Sequence, residues 1–219
     1  MARSFTASQA MYRGGNSPAT AFPISMWCVS EHNSLASAAC AMAWCRYNGY
    51  GSVSLYFRGD LGGDPIAGRR IKQAGTGDNN PQSAAYSTGT IYRVGLVCAA
   101  NNDARLYVNG TKTTTSASID YPTDNPDTVV CSGLWEGPTA GNDVTRVGLG
   151  QSFAFWDAAL TDAEMASLEA GFSPRRIRPQ NLKFYWPALR SKGEWVAGVQ
   201  LDILGTEPSV TDHQRTYGM

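Results

Sequence analysis

The sequence predicts an all-β protein made of two packed antiparallel sheets, and three observations support this class. Apolar and polar residues alternate with a period of two in segments spread along the chain, which is typical of half-buried strands. The 219 residues include 23 Gly and 11 Pro, which favour the turns that join short strands. Charged residues make up only 16% of the chain, against about 25% in an average soluble protein, so the expected surface is largely polar but uncharged.

Three segments in the first hundred residues carry the alternation most clearly. Each segment places its apolar side chains on one face of a strand, where they can pack against a second sheet. These side chains are Phe22, Ile24, Met26 and Cys28; then Val53, Leu55 and Phe57; then Tyr92, Val94, Leu96 and Cys98.

The next strands are marked by turn residues. Leu106 and Val108 follow the polar turn at 101–103, and Asn109-Gly110 then predicts a tight hairpin because both residues tolerate positive φ. The same Asn109 begins a glycosylation sequon, but the first eight residues lack the apolar segment of a secretory signal, so we interpret the sequon as a turn. Residues 144–155 predict one or two further strands.

One short helix is expected after these strands. Thr161 and Glu164 have the spacing of a capping box, in which each side chain bonds the other residue's backbone N–H. Leu160 and Met165 stand where a hydrophobic staple forms, and Gly171 is a plausible stop.

After the helix the composition changes. Residues 173–180 hold three Arg and two Pro, and residues 181–219 are rich in aromatic side chains. We therefore expect a β-sandwich over 1–172 and an Arg/Pro hinge with a C-terminal tail over 173–219. Residues 181–189 suit either a strand that covers a sheet edge or an arm that reaches a partner. The second interpretation predicts that deleting 173–219 leaves the sandwich folded.

The order of segments resembles the laminin G-like, concanavalin A-like jelly rolls. Residues 22–27 are similar to the family's opening strand, 91–113 to its strand-turn-strand, and 147–174 to its closing strand and helix. The resemblance implies a jelly-roll sandwich of two antiparallel sheets with the helix outside them. Asn109 stands where the family often has Asp. The closing segment is matched at Trp156, Leu160, Thr161, Glu164 and Leu168.

No catalytic pattern emerges, and we expect no enzyme. The glycosidases of this fold carry alternating carboxylates on one strand, whereas the closest cluster here, Asp162, Glu164 and Glu169, belongs to the helix. His32 and His213 stand apart, and no Gly-x-Ser-x-Gly elbow is present.

No metal or cofactor is expected either. The five Cys residues form no CxxC pair, and we interpret them as buried reduced thiols rather than metal ligands or disulfides. The oxygen-rich loops at 78–80, 120–127 and 142–143 could supply Ca²⁺ ligands, but Asn and Asp in loops more often form turns. We therefore prefer turns to a calcium site.

Charge and hydropathy exclude two classes of partner. The chain has 18 Lys and Arg against 18 Asp and Glu, whereas nucleic-acid binders need a clear positive excess. Its longest apolar run, at 38–45, is far shorter than the roughly 20 residues of a membrane span.

Two functional hypotheses remain. The first is a non-enzymatic structural protein of a virion, such as a capsid decoration or fibre-associated protein made in the host cytoplasm, by resemblance to laminin G-like components of tailed-phage virions. Its candidate partner contacts are Arg175, Arg176, Arg178, Tyr185 and Trp186, although solvated charges would explain the arginines equally well. The partner, a capsid or a tail, and any homo-oligomer stay unidentified.

The alternative is a lectin-like, carbohydrate-binding module that recognises a surface glycan, with or without Ca²⁺. Trp135, in the loop at 132–137, is the candidate platform on which a sugar could stack, because the other tryptophans of the sandwich lie in strand patterns.

Overall fold

A computed structural model of the chain describes residues 2–5, 10–14, 23–33, 39–47, 52–59, 61–71, 81–100, 102–115, 126–131, 148–187, 202–204 and 209–211. The all-β prediction is confirmed, because these residues form two antiparallel sheets and one α-helix. The strands are β1 (Ala2–Phe5), β2 (Ala10–Gly14), β3 (Ile24–Glu31), β4 (Ala39–Tyr47), β5 (Ser52–Arg58), β6 (Pro65–Ile71), β7 (Gln82–Ala85), β8 (Ile91–Ala100), β9 (Asp103–Val108), β10 (Thr111–Thr115), β11 (Pro126–Cys131), β12 (Gly148–Trp156), β13 (Leu182–Trp186), β14 (Asp202–Leu204) and β15 (Ser209–Thr211). The α-helix is α1 (Asp162–Glu169), and a 3₁₀ turn follows at Pro174–Arg176.

The strands divide into two sheets with many crossovers. Sheet I has the order β10-β9-β8-β3-β12-β1-β15, with β13 also paired to β12, and sheet II has the order β14-β2-β11-β4-β5-β6-β7. Neighbours in each sheet are antiparallel throughout the described pairings, so each sheet can bury one face against the other.

The apolar residues of the predicted alternation form the inner core between the two sheets. Ile24, Met26 and Cys28 of β3 are fully buried, and they face Val53, Leu55 and Phe57 of β5 across the sandwich, in one cluster with the predicted β8 residues. Phe22 lies outside the described residues. Cys28 and Cys98 are buried and form no disulfide, as expected, and the other three Cys side chains lie outside the described part of the chain.

The Asn109-Gly110 hairpin is confirmed. Both residues have positive φ, 46° and 80°, and they join β9 to β10 with Val108 opposite Thr111. Asn109 also ties the turn to β8, because its Oδ1 accepts a hydrogen bond of 2.9 Å from the Arg93 backbone N–H.

The helix begins and ends as predicted. The Thr161–Glu164 capping box forms at its start. At its end Gly171 has a φ of 92°, and the N–H groups of Gly171 and Phe172 donate to the carbonyls of Leu168 and Ser167. This pairing is a Schellman motif, which satisfies carbonyls that the last turn would otherwise leave open. No helix among the described residues has the length and apolar character needed to span a membrane.

The helix lies on the outer face of sheet I. Leu160 and Met165 are fully buried there against Trp27 and Trp156, in a second apolar cluster. Gly95 of β8 leaves room for this packing, since a Cβ at that position would lie 2.4 Å from the Met165 methyl carbon and the Met165 side chain would have to shift.

Residues 182–186 form a strand of the protein's own sandwich. β13 pairs with β12, with Phe184 opposite Phe155 and Trp186 opposite Phe153. Tyr185 and Trp186 are only 3% and 0% exposed. Both aromatic rings therefore belong to the packed interior, and their interpretation as partner contacts is corrected. Further along the tail, β14 pairs with β2 and β15 with β1.

Candidate functional site

Several sequence-predicted site residues fall outside the described residues. They include Trp135 and the oxygen-rich loops at 78–80 and 142–143, and of the loop at 120–127 only the start of β11 is described. Among the residues that the structure does describe, no group of three or more His, Cys, Asp or Glu side chains could hold a metal ion.

A polar cluster lies on the outer face of sheet I. On β9, Asp103, Arg105 and Tyr107 alternate with Ala104 and Leu106, which are buried in the inner core, so the three polar side chains point outward. Lys112 of β10 stands directly opposite Tyr107, and Asp162 reaches the group from the first turn of α1. We call these five residues the polar ladder.

Hydrogen bonds and ion pairs connect the polar ladder. The Tyr107 hydroxyl donates to Asp162 Oδ1 over 2.7 Å, and Lys112 Nζ donates to Asp162 Oδ2 over 2.7 Å. Arg105 binds Asp103 with two parallel bonds, of which the Nε to Oδ1 bond measures 2.8 Å. The ladder therefore holds one hairpin and one helix in a fixed relation.

The ladder's protonation states follow from these contacts. Hydrogen bonds from Lys112 and then from Tyr107 lower the pKa of Asp162 below its ordinary value. Burial, followed by the hydrogen bond to Asp162, raises the pKa of Tyr107, and the hydrogen bond to Asp103 raises the pKa of Arg105. At neutral pH the ladder thus presents a carboxylate, a neutral phenol and a guanidinium.

The ladder keeps hydrogen-bonding capacity toward solvent. The Asp162 and Lys112 side chains are 59% and 38% exposed, and those of Arg105 and Asp103 are 26% and 30% exposed. A carboxylate has about four acceptor positions and an ammonium has three donors, so their mutual bonds leave further donors and acceptors for a ligand rich in hydroxyl groups. Sequence analysis missed this cluster, although the alternation of Asp103, Arg105 and Tyr107 was a visible signal.

A second exposed feature is the short turn at 171–177, which we call the Phe172 turn. Phe172 is 53% exposed, and both Arg175 and Arg176 are exposed. The turn is anchored from within by Pro174 and Ile177, which are buried. The predicted contacts Arg175 and Arg176 thus do lie on the surface.

Arg178, the third predicted arginine contact, binds groups within the protein. Its Nε donates to Glu164 Oε1, and its Nη1 donates to the Ala159 carbonyl over 3.2 Å. Its backbone adopts a positive φ of 40°, a conformation uncommon for a residue with a side chain. This guanidinium therefore stabilises the capping box of α1, and its contact with a partner stays a prediction.

The pKa values of two carboxylates of α1 are shifted in opposite directions. Burial works to raise the pKa of Glu164, but hydrogen bonds from Thr161 and Arg178 outweigh burial and bring it below its ordinary value. Burial raises the pKa of Glu169, because the hydrogen bond from the Gly110 backbone and the charge of Arg93 compensate only in part. Glu169 Oε1 is buried without a hydrogen-bond partner.

Comparisons with known proteins identify the fold. No protein-family model matches the chain, and no curated protein matches it. Among solved structures, the chain is similar to a "putative carbohydrate binding protein" from Bacteroides ovatus, with a TM-score of 0.62 and 15% identity, over 95% of this chain and 61% of that one.

Two further structures agree. The Ruminococcus gnavus sialidase module CBM40, bound to α2,3-sialyllactose, has a TM-score of 0.57 and 13% identity, over 76% of this chain and 96% of the module. Domains LG4-5 of the mouse laminin α1 chain have a TM-score of 0.54 and 10% identity, over 70% of this chain and 40% of that one. The chain therefore has the concanavalin A-like, laminin G-like jelly-roll fold, as the sequence resemblance implied.

Proposed function

We propose that the protein is a non-catalytic carbohydrate-binding module and that the polar ladder contacts the sugar. The observation that carries this proposal is the ladder itself, in which the buried Tyr107 orders a set of partly exposed donors and acceptors, Asp103, Arg105, Lys112 and Asp162, at the outer face of sheet I. Two of the similar structures support it, because one is named as carbohydrate binding and the other is bound to sialyllactose.

The chemistry of the ladder suits a saccharide. Each sugar hydroxyl both donates and accepts a hydrogen bond, so a carboxylate beside an ammonium or guanidinium can satisfy neighbouring hydroxyl groups together. The ladder's own contacts already order its side chains, which lowers the entropy cost of binding. Asp162 and Lys112 offer the largest exposed fractions for such contact.

The test is a glycan array followed by calorimetry on the glycan that binds best, with and without a chelator. We expect Asp162→Asn to weaken binding about tenfold, since a charged hydrogen-bond acceptor is lost, and the chelator to change nothing. Asp157→Asn is the matched control, because Asp157 pairs with Lys183 outside the ladder. A protein that binds no glycan contradicts the proposal.

The same measurements distinguish a sugar site at the polar ladder from one at the loops. If binding is lost with the chelator or in Trp135→Ala, yet persists in Asp162→Asn, the module assignment stands and the site moves to the loops. The virion hypothesis stays a prediction, and the similar structures reported above give it no support.

A further inference from the structure

The Phe172 turn combines exposure with rigidity. Phe172 is the large hydrophobic side chain that the described part of the chain leaves exposed, at 53%. The backbone on either side is fixed: the Schellman motif holds Gly171 and Phe172, and the Ser173 hydroxyl caps the 3₁₀ turn by accepting a hydrogen bond from the Arg175 N–H. The ring is therefore presented by an ordered turn, at little entropy cost to a contact.

Three buried groups hold the turn onto the sandwich. Pro174 and Ile177 pack inward, and the Trp156 indole N–H donates to the Ile177 carbonyl over 2.8 Å. Substitution of the exposed residues leaves these anchors in place, so surface variants of the turn are expected to fold normally.

The turn also lies in a basic stretch of a chain whose net charge is zero. Residues 170–193 contain six Lys and Arg and no Asp or Glu. Arg178 and Lys183 are neutralised by Glu164 and Asp157. Arg176, in contrast, is exposed, and its side chain makes no ion pair or hydrogen bond within the described residues.

We propose that the Phe172 turn is a docking surface for a protein partner whose contact segment carries carboxylates beside an apolar side chain. Aromatic and Arg side chains are the types that dominate the centres of protein interfaces. The phenyl ring has no polar group, so it is best buried by apolar side chains, while the exposed guanidinium group of Arg176 complements a carboxylate. A polypeptide supplies both kinds of group at independent positions.

This surface is separate from the proposed sugar site. Asp162, in the ladder, opens α1, whereas the Phe172 turn follows the last residue of α1, Glu169. The two proposals can therefore fail independently of each other.

The test uses three labelled peptides: four repeats of Glu-Glu-Leu, of Glu-Glu-Ser and of Lys-Lys-Leu. Binding is followed by ¹⁵N-resolved NMR titration of the full chain at low and high salt. We expect the Glu-Glu-Leu peptide to shift the amide resonances of residues 171–177, the Glu-Glu-Ser peptide to bind about tenfold more weakly, and the Lys-Lys-Leu peptide to have no effect. High salt should weaken binding.

Point variants complete the test. Phe172→Ser and Arg176→Glu should each weaken binding of the Glu-Glu-Leu peptide about tenfold or more, and Arg176→Gln by less. Lys183→Gln, which removes one positive charge from the same stretch but outside the turn, should bind like the wild type. Equal binding of the Glu and Lys peptides, unchanged binding in both variants, or no shift at 171–177 would each overturn the proposal. Preferential binding of a heparin tetrasaccharide at the turn would reassign it to an anionic glycan and equally overturn it.

Discussion

Each face of sheet I carries a buried apolar cluster, but the two faces are stabilised by different contacts. The inner face meets sheet II through apolar side chains and rings, such as Tyr92 edge-on to Phe57 of β5 with 6.1 Å between ring centroids. Within the inner face, rings of neighbouring strands also pack together, as Phe153 stacks on Trp186 at 5.4 Å. The outer face is covered by α1 and the chain that follows it, and there polar anchors supplement apolar packing. The inner layer thus depends on shape and buried area, whereas the outer layer also depends on directed bonds.

Ser25 shows how such an anchor works. It is fully buried on the outer face of β3, where its hydroxyl donates to the Ala158 carbonyl over 2.6 Å and accepts from the Leu160 N–H over 3.0 Å. One small side chain thus fixes the chain entering α1. The proposed sugar site lies on this outer layer. Its polar groups are carried by α1, β9 and β10, and hydrogen bonds already hold these elements in place.

The largest expected effect comes from removing residues 173–219. Because β13 contributes Phe184 and Trp186 to the inner core, the truncated chain should lose cooperative folding altogether. Near-UV circular dichroism and thermal melting measure this loss. A truncated protein that still melts cooperatively would show that sheet I is stable without β13 and would restore the arm interpretation.

A pair of neighbouring substitutions compares the two faces directly. Phe155 and Trp156 are both fully buried, on opposite faces of β12. Each change to Ala should lower the free energy of unfolding by about 3–5 kcal/mol. Trp156→Ala should lie at the upper end, because it also leaves the Ile177 carbonyl without its donor, at a cost of about 1–3 kcal/mol.

Hydrogen exchange distinguishes how the two variants fail. Trp156→Ala should speed exchange in α1 and the Phe172 turn more than in sheet II, whereas Phe155→Ala should affect both sheets. Trp156→Phe serves as the control, since it retains a ring but loses the N–H donor. Identical exchange patterns in the two Ala variants would refute the distinction between the faces.

The smallest expected effects concern pH and the two carboxylates of α1. The pKa of Glu164 is lowered in the folded protein, so its contribution to stability is present above its unfolded pKa and is lost as the pH falls through the folded value. The pKa of Glu169 is raised, so stability declines as the pH rises through its folded value.

Accordingly, Glu164→Gln should destabilise the protein at pH 7, and the deficit should shrink under acid conditions. Glu169→Gln should stabilise it at pH 7, with the gain shrinking in the same direction. Denaturant unfolding at pH 7 and pH 4 measures both differences. Two variants with the same sign at pH 7 would disagree with the assigned environments.

Local signals in the sequence predicted most of the fold. The period-two pattern of β3, the positive φ of Asn109-Gly110 and the capping box at Thr161 each depend on neighbouring residues, so one sequence was sufficient to find them. The resemblance added the arrangement of the sheets, which short-range patterns do not contain.

The site depended on contacts that the sequence does not encode locally. Tyr107 and Asp162 are 55 positions apart, and the sequence around either residue gives no signal that the two side chains form a hydrogen bond. The same holds for Arg178, which looked like part of a surface cluster because its partner Glu164 belongs to the preceding helix. For Tyr185 and Trp186, aromatic character suited a core strand and a partner contact equally, and only the pairing of β13 with β12 decides between them.

β1 and β13 share one edge of β12, and this arrangement has a consequence for the order in which the chain folds. β3 occupies one edge of β12, while β1 pairs with residues 148–150 and β13 with residues 153–156 along the other edge. Ser152, with a φ of 59°, lies between the two sections. The β12–β13 pairing closes a short loop through α1, whereas the β1–β12 pairing closes a loop of roughly 140 residues. Because long loops close more slowly, we expect β12, α1 and β13 to form as a local unit onto which the N-terminal strand is added late.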